Sequence, residues 1–128
     1  MKAENKKHVR WNKVEKWIYE DLDGFKVEVV RWEDMPGHVI WNKYLYLFPG
    51  NSHFGKYLEE DEASPDVPFD FHCGITYYKE HFNRGGDLTI QIFGDDYNHL
   101  WDHENPVESD GASVFSDAEN LIREVKEG

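Results

Sequence analysis

The sequence predicts an α+β fold, a mostly antiparallel sheet of about four strands with an N-terminal and a C-terminal helix. Apolar runs rich in β-branched and aromatic residues follow one another between turn signals, and segments with helical spacing stand before the first run and after the last. Consecutive strands with helices at the ends favour α+β over alternating α/β topology. The 128 residues fit a single domain, 1–128, whose polar first eight residues are predicted to be frayed.

The first half of the chain is predicted to form a helix and two strands. From Asn12 to Leu22, apolar side chains recur at helical spacing, which indicates an amphipathic helix. Residues 25–32 alternate apolar with charged side chains, as half-buried strands do. Turn residues at 33–37 then lead to 38–48, which is dense in Val, Ile, Trp, Tyr and Leu and predicts a second strand.

The second half is predicted to form two more strands and a helix, separated by polar loops. The apolar runs 69–78 and 87–93 predict the strands. Residues 59–70 are acidic and contain proline, which indicates an exposed connection, and 95–111 is too rich in Asp, Asn and Pro for a regular element. The last helix is predicted to open at Ser116 with a capping box.

The charge and cysteine content exclude several classes of protein. The net charge of −12, from 26 acidic and 14 basic residues, disfavours direct binding to nucleic acid, which normally needs a basic stripe. Such an acidic chain suits a divalent cation, a basic partner protein or mimicry of nucleic acid, although most acidic surfaces only keep a protein soluble. The single cysteine, Cys73, excludes an internal disulfide and is predicted to be a small buried hydrophobe in the third strand.

No targeting or membrane segment is evident in the sequence. No apolar run approaches the ~18 residues of a membrane span, and the Lys-rich N-terminus has no apolar signal segment. We therefore expect a cytoplasmic protein that does not contact a membrane.

Carboxylates and imidazoles cluster after the fourth predicted strand. Asp96-x-x-His99-x-x-Asp102 places donors at every third position, and with His72 these side chains are the predicted metal ligands. Imidazole with carboxylate suits Zn²⁺, Mn²⁺ or Fe²⁺, whereas carboxylates alone suit Mg²⁺ or Ca²⁺. The same groups suit a general acid and base. The commoner interpretation is that a short Asp/Asn/His run only completes turns.

One face of the third predicted strand suits the floor of a site. On a strand, His72, Gly74 and Thr76 would share a face, and Gly74 would let a ligand approach the backbone. Aromatic side chains nearby would form stacking walls. The residues predicted to contact a ligand are His72, Thr76, Tyr77, Tyr97 and Trp101.

The order of these motifs is similar to that of a known family. The specific matches are His72-x-Gly74-Ile75-Thr76-Tyr77 and Asp96-x-x-His99-x-x-Asp102, with looser ones at Gly37-His38, Pro49-Gly50 and Phe54-Gly55-Lys56. In these motifs the chain resembles small bacteriophage-encoded proteins of unassigned function. The family's loop histidine falls on Asn51, and either Asp95 or Asp96 is the counterpart of its aspartate. The resemblance implies a phage origin and a site near His72 and His99. It does not indicate which activity the site has.

Three functional hypotheses follow from the sequence. The first is a small cytoplasmic phage accessory protein, with a host-interaction or anti-defence role, that binds a divalent metal or a small anionic ligand such as a nucleotide; catalysis is left open. The second is an acidic inhibitor or immunity-type protein whose loops, 59–70 and 95–110, mimic nucleic acid and block a basic groove on a nuclease or defence complex. The third is an accessory protein without a site. An exposed aromatic sheet face would permit a homodimer.

Overall fold

The computed structural model describes residues 6–11, 14–58, 65–98 and 106–127, with side chains from residue 14 onward. The strands are β1 (Lys6–Trp11), β2 (Val14–Asp21), β3 (Phe25–Met35), β4 (His38–Leu47), β5 (Tyr77–Phe82) and β6 (Leu88–Asp96), and a helix, α1 (Ala112–Glu127), follows them. The strands form one sheet in the order β1-β2-β3-β4-β6-β5, in which every neighbouring pair is antiparallel. The α+β class, the antiparallel sheet and the C-terminal helix are confirmed, but the predicted number of strands was too low.

The predicted N-terminal helix is wrong, because residues 14–21 form strand β2. Trp17 and Tyr19 lie opposite Val29 and Val27 of β3, so alternate side chains of β2 extend the apolar face of the sheet. The apolar positions of this segment fit both a helical and a strand period, and aromatic and β-branched side chains pack well in a sheet. Pairing with β3 therefore overrides the helical pattern.

The third predicted strand is also wrong over most of its length, because strand structure begins only at Tyr77. Cys73 has a φ of 56° and Gly74 a φ of 87°, values that no strand residue adopts. The amide of Gly74 donates to the carbonyl of Phe71 at 3.1 Å and closes a turn. Cys73 is exposed at this turn, which corrects the prediction that it is buried.

Helix α1 begins four residues before the predicted start at Ser116. The carboxylate of Glu108 accepts hydrogen bonds from the amide of Ser113 at 3.2 Å and from its hydroxyl at 2.9 Å. The backbone N–H groups in the first turn of a helix have no partners within the helix itself, and Glu108 supplies one for the N–H group of Ser113. A hydrogen bond from its own backbone lowers the pKa of Glu108, and the two bonds from Ser113 lower it further. The predicted loop 95–111 therefore supplies the helix cap, and its first two residues belong to β6.

The hydrophobic core lies between α1 and one face of the sheet, which we call the helix-side face. Its buried side chains are Phe25, Val27, Val29, Trp41, Leu45, Leu47, Phe69, Phe93, Tyr97, Val114, Ala118, Leu121 and Val125. The opposite side, which we call the open face, includes Lys16, Lys26, Glu28, Val30, Trp32, Asn42, Tyr44, Tyr46, Tyr77 and Ile92. No part of the described chain lies across the open face in the way that α1 lies across the helix-side face.

His53 anchors the loop after β4 in this core. It is 4% exposed, and its ring centroid lies 4.8 Å from that of Phe69 in an edge-to-face arrangement. Its Nδ1 lies 2.9 Å from the hydroxyl of Tyr57. Burial lowers the pKa of His53, although the backbone of Val125 partly opposes this effect. The folded protein therefore holds this imidazole neutral at acidic pH values where an exposed one is charged.

We expect the contribution of His53 to the free energy of unfolding to fall as the pH drops below about 6.5, the ordinary pKa of histidine. The unfolded chain takes up a proton on His53 in that range, and the folded chain takes it up less readily. The contribution is present above pH 6.5 and is lost as the pH falls towards the lower folded pKa. Urea denaturation from pH 7.5 to 5 would show the wild type losing stability relative to His53→Gln, in which the other titrating groups are unchanged. The same pH dependence in both proteins would contradict the assignment.

Candidate functional site

A buried ion pair lies on the helix-side face of the sheet. Lys43 of β4 and Asp95 of β6 occupy directly opposed positions, and each is 1% exposed. Lys43 Nζ lies 3.2 Å from Asp95 Oδ2. Because Trp41, Lys43 and Leu45 alternate along β4, the lysine is directed into the core together with its apolar neighbours. When two opposite charges are buried this deeply, removing one leaves the other without a partner, which is strongly destabilising.

Asp95 also ties the following turn to the sheet. Its Oδ2 accepts a hydrogen bond from the backbone amide of His72 at 2.6 Å, whereas its Oδ1 has no hydrogen-bond partner among the described residues. Burial raises the pKa of Asp95 to about 6, although the charge of Lys43 and the hydrogen bond from His72 oppose this rise. The aspartate therefore titrates closer to neutral pH than an exposed carboxyl group does.

The imidazole of His72 packs flat against Tyr97. The two ring centroids are 4.1 Å apart and the ring planes differ by 16°. Tyr97 is 6% exposed, and its hydroxyl donates to Asp117 of α1 at 2.7 Å. The structure thus brings together two residues of the predicted ligand site, His72 and Tyr97. Because His72 lies in a turn, the predicted strand face of His72, Gly74 and Thr76 does not exist.

Other predicted site residues lie towards the open face. The hydroxyl of Thr76 donates to Asp96 at 3.3 Å, and the amide of Asn98 donates to the same carboxylate at 3.1 Å. The ring of Tyr77 packs edge-on against Tyr44 at 5.7 Å. Asp96 follows Asp95 on β6, so the two side chains lie on opposite faces of the sheet. The described part of the predicted site is therefore divided between the two faces.

The predicted metal ligands are only partly within the described residues. His72 and Asp96 are described, whereas His99 and Asp102 lie outside the described residues, as does the predicted stacking residue Trp101. Among residues 14–58, 65–98 and 106–127, no group of three His, Cys, Asp or Glu side chains could hold a metal ion. The metal site stays a prediction.

Two carboxylates of segment 95–110, which is predicted to mimic nucleic acid, have structural roles. Asp95 is buried beside Lys43, and Glu108 caps α1. Neither is free to imitate a nucleic-acid phosphate. The acidic residues 59–62 lie outside the described residues.

A concave cleft lies at the end of the sheet where the β3–β4 turn meets the segment before α1. Its volume is about 370 Å³, within the range of small-molecule sites. Aromatic side chains contribute to its wall, together with a cationic group and several polar groups. The lining includes Arg31, His38, Trp41, Tyr97, Asn98 and Ser109.

The cleft combines a cationic group with aromatic rings. The guanidinium carbon of Arg31 lies 6.0 Å from the ring centroid of Trp41, and its Nη1 lies 3.4 Å from Glu15 Oε1. His38 Nδ1 lies 2.6 Å from Asp34 Oδ1. Guanidinium has five N–H donors in a planar fork, so an Arg that contacts one carboxylate retains donors suited to a second anion.

No family model, curated protein or solved structure matches the chain. The resemblance to phage proteins therefore stays a prediction carried by its motifs. In the described residues, no helix is long and apolar enough to cross a lipid bilayer.

Sequence reasoning missed Lys43 and the cleft residues Arg31, His38 and Trp41. The signal for Lys43 was available, because it shares the strand period with Trp41 and Leu45 inside an otherwise apolar run. The signal for the cleft was weaker, because its residues come from three separate segments that only the folded sheet brings together.

Proposed function

We propose that this chain is a binding protein whose sheet-end cleft takes a small anionic ligand with a flat ring, such as a nucleotide. The observation that carries the proposal is the half-buried Arg31, positioned over Trp41 in a concave site of about 370 Å³. An accessory role in phage infection extends this proposal and depends on the motif resemblance alone.

The chemistry of the lining supports an anion attached to an aromatic ring. Arg31 offers charge-assisted hydrogen bonds to a phosphate or carboxylate. Trp41 and Tyr97, which are 4% and 6% exposed, contribute only ring edges against which a base or similar ring would pack, and the side chains of Asn98 and Ser109 offer hydrogen bonds that would orient it. The ligand would compete with Glu15 for the guanidinium, which limits its affinity.

Removing the charge of Arg31 is expected to weaken ligand binding by about 10- to 100-fold, because a hydrogen bond to a charged group contributes about 1.5–3 kcal/mol. Arg31→Met keeps the apolar stem of the side chain but removes the guanidinium group that lies over Trp41. The measurement is isothermal titration calorimetry, after a thermal-shift screen of nucleoside mono-, di- and triphosphates and of flavin mononucleotide has chosen the ligand.

Two further variants show whether a change in ligand affinity arises at the cleft or from general effects of charge and folding. Glu15→Gln removes the competing carboxylate and is expected to strengthen binding, the opposite direction from Arg31→Met. Arg84→Met removes an exposed arginine from the β5–β6 turn and is expected to leave the affinity unchanged. The proposal fails if no compound in the screen binds the wild type, or if all three variants bind alike.

A further inference from the structure

The open face concentrates aromatic side chains that the ligand cleft does not use. Trp32, Tyr44, Tyr46 and Tyr77 border a groove of about 290 Å³ on this face. Tyr77 is 42% exposed, and no element of the described chain packs over it as α1 packs over the core. Tyrosine and tryptophan are enriched at protein interfaces because their rings bury much apolar area while their polar ends stay hydrogen-bonded.

Several polar groups of the open face have partners within the face. Trp32 Nε1 donates to Asn42 Oδ1 at 2.5 Å. Lys16 Nζ lies 3.9 Å from Glu28, which is only 5% exposed, and Lys26 Nζ lies 4.0 Å over the ring of Tyr46. Covering the face would therefore leave few of these groups unsatisfied, so the cost of removing water from them is small.

The open face is close to neutral in a chain with a net charge of −12. Within β2 to β6, the strand register places on this side the lysines Lys16, Lys26 and Lys79 and the carboxylates Glu20, Glu28 and Asp96. The excess of negative charge therefore lies elsewhere on the chain. A strongly basic protein gains little attraction from a neutral face, and a nucleic acid finds no basic stripe on it.

We propose that two copies of this chain associate through their open faces as a two-fold symmetric dimer. A second copy presents the same neutral aromatic surface, so each lysine can approach a carboxylate of the partner across the axis. Each copy carries a net charge of −12, so the two copies repel one another, and ionic strength screens this repulsion beyond about 8 Å. Association that depends on apolar burial between two acidic chains should therefore strengthen with salt.

Sedimentation velocity of the full chain over the micromolar range tests the proposal. We expect a species of twice the 15.2 kDa chain mass, with a larger dimer fraction in 0.5 M than in 0.05 M sodium chloride. A monomer at every concentration and salt level would overturn the proposal. Dissociation by salt would also overturn it, because it would show that opposite charges, not the aromatic face, hold the copies together.

Variants locate the contact on the molecule. Tyr46→Glu and Tyr77→Glu are each expected to weaken dimerisation at least tenfold, because each buries a carboxylate without a partner. Leu22→Glu is the matched control, since Leu22 is fully exposed in the β2–β3 turn, and it should leave dimerisation unchanged. A dimer that is insensitive to both tyrosine variants would place the contact elsewhere and overturn the proposal.

Hydroxyl-radical footprinting of the unmodified protein gives a test that does not depend on whether the variants fold. Tyr46 and Tyr77 should be oxidised several-fold more slowly at a concentration where the dimer dominates than where the monomer does. Met35, which is 60% exposed at the end of β3, should react equally in both samples. Equal oxidation of the two tyrosines in a dimeric sample would contradict the proposed contact.

Discussion

Replacing Lys43 by methionine is expected to lower the free energy of unfolding by about 3–5 kcal/mol at neutral pH, because it leaves the carboxylate of Asp95 buried without its counter-charge. Both side chains are 1% exposed, so water cannot take the place of the lost partner. Since a domain of this size has a total stability of about 5–15 kcal/mol, the variant should be marginally folded. Urea denaturation followed by circular dichroism measures the loss.

The double variant Lys43→Met with Asp95→Asn separates the contribution of the ion pair to stability from that of side-chain packing. Asparagine keeps an oxygen that accepts the hydrogen bond from the amide of His72, and methionine fills the volume of the lysine stem. The double variant should therefore recover most of the stability that each single variant loses, because neither charge is left alone. Arg123→Met removes a pair with Glu127 in which both side chains are more than half exposed, and should cost less than about 1 kcal/mol.

The effect of Lys43→Met should also depend on pH. The pKa of Asp95 is raised from 3.8 to about 6, so the folded state holds this proton more tightly than the unfolded state. The resulting contribution to stability is fully present below pH 3.8 and is lost as the pH rises through about 6. Without the charge of Lys43 this loss should be larger, so the variant should be damaged more at pH 7.5 than at pH 5. A loss that is the same at both values would show that packing, not charge, dominates.

The ion pair also shows how far the sequence predicts this site. The strands at 25–32 and 38–48 follow from their composition, and the period of two places Lys43 among inward-directed side chains. Its partner does not follow, because Asp95 belongs to a strand that only the tertiary pairing of β4 with β6 brings alongside. The local sequence pattern therefore predicts that Lys43 is buried, whereas its pairing with Asp95 depends on the topology of the sheet.

The errors in the predicted elements have the same origin. Val14, Trp17 and Ile18 fit a helical period, whereas Trp17 and Tyr19 share one face of a strand. Pairing with β3 decides between the two structures. The segment around Cys73 reads as a strand from its composition, but Asp95 binds the amide of His72 and fixes a turn with positive φ at Cys73. Both decisions are made by contacts between distant parts of the chain, which single-sequence patterns do not contain.

Replacing Gly111 by alanine is expected to lower the free energy of unfolding by about 2–5 kcal/mol, the combined cost of a strained backbone and an overpacked core. Gly111 has a φ of +71°, and a Cβ at this position would lie 2.5 Å from Cη2 of Trp41. That ring is 4% exposed and is stacked on Trp17 and edge-on to Phe115, so it has little room to move.

Gly37→Ala is the matched control for this substitution. Gly37 has a φ of +81°, but no atom lies within 4 Å of the position that a Cβ would occupy, so the variant carries the backbone strain without the clash. We expect it to cost about 1 kcal/mol, within the range for a residue other than glycine in the left-handed region. The difference between the two variants measures the contact with Trp41, and equal losses would show that the ring moves aside freely.

The consequences of Gly111→Ala should extend to the helix and the cleft. The carbonyl of Gly111 accepts the hydrogen bond from the amide of Phe115 at 2.9 Å, so hydrogen exchange at Phe115 should accelerate when the backbone shifts. Trp41 also lines the cleft, so the same variant should weaken binding of any ligand that contacts this ring. One glycine thus couples the start of α1, the packing of the core and the shape of the proposed binding site.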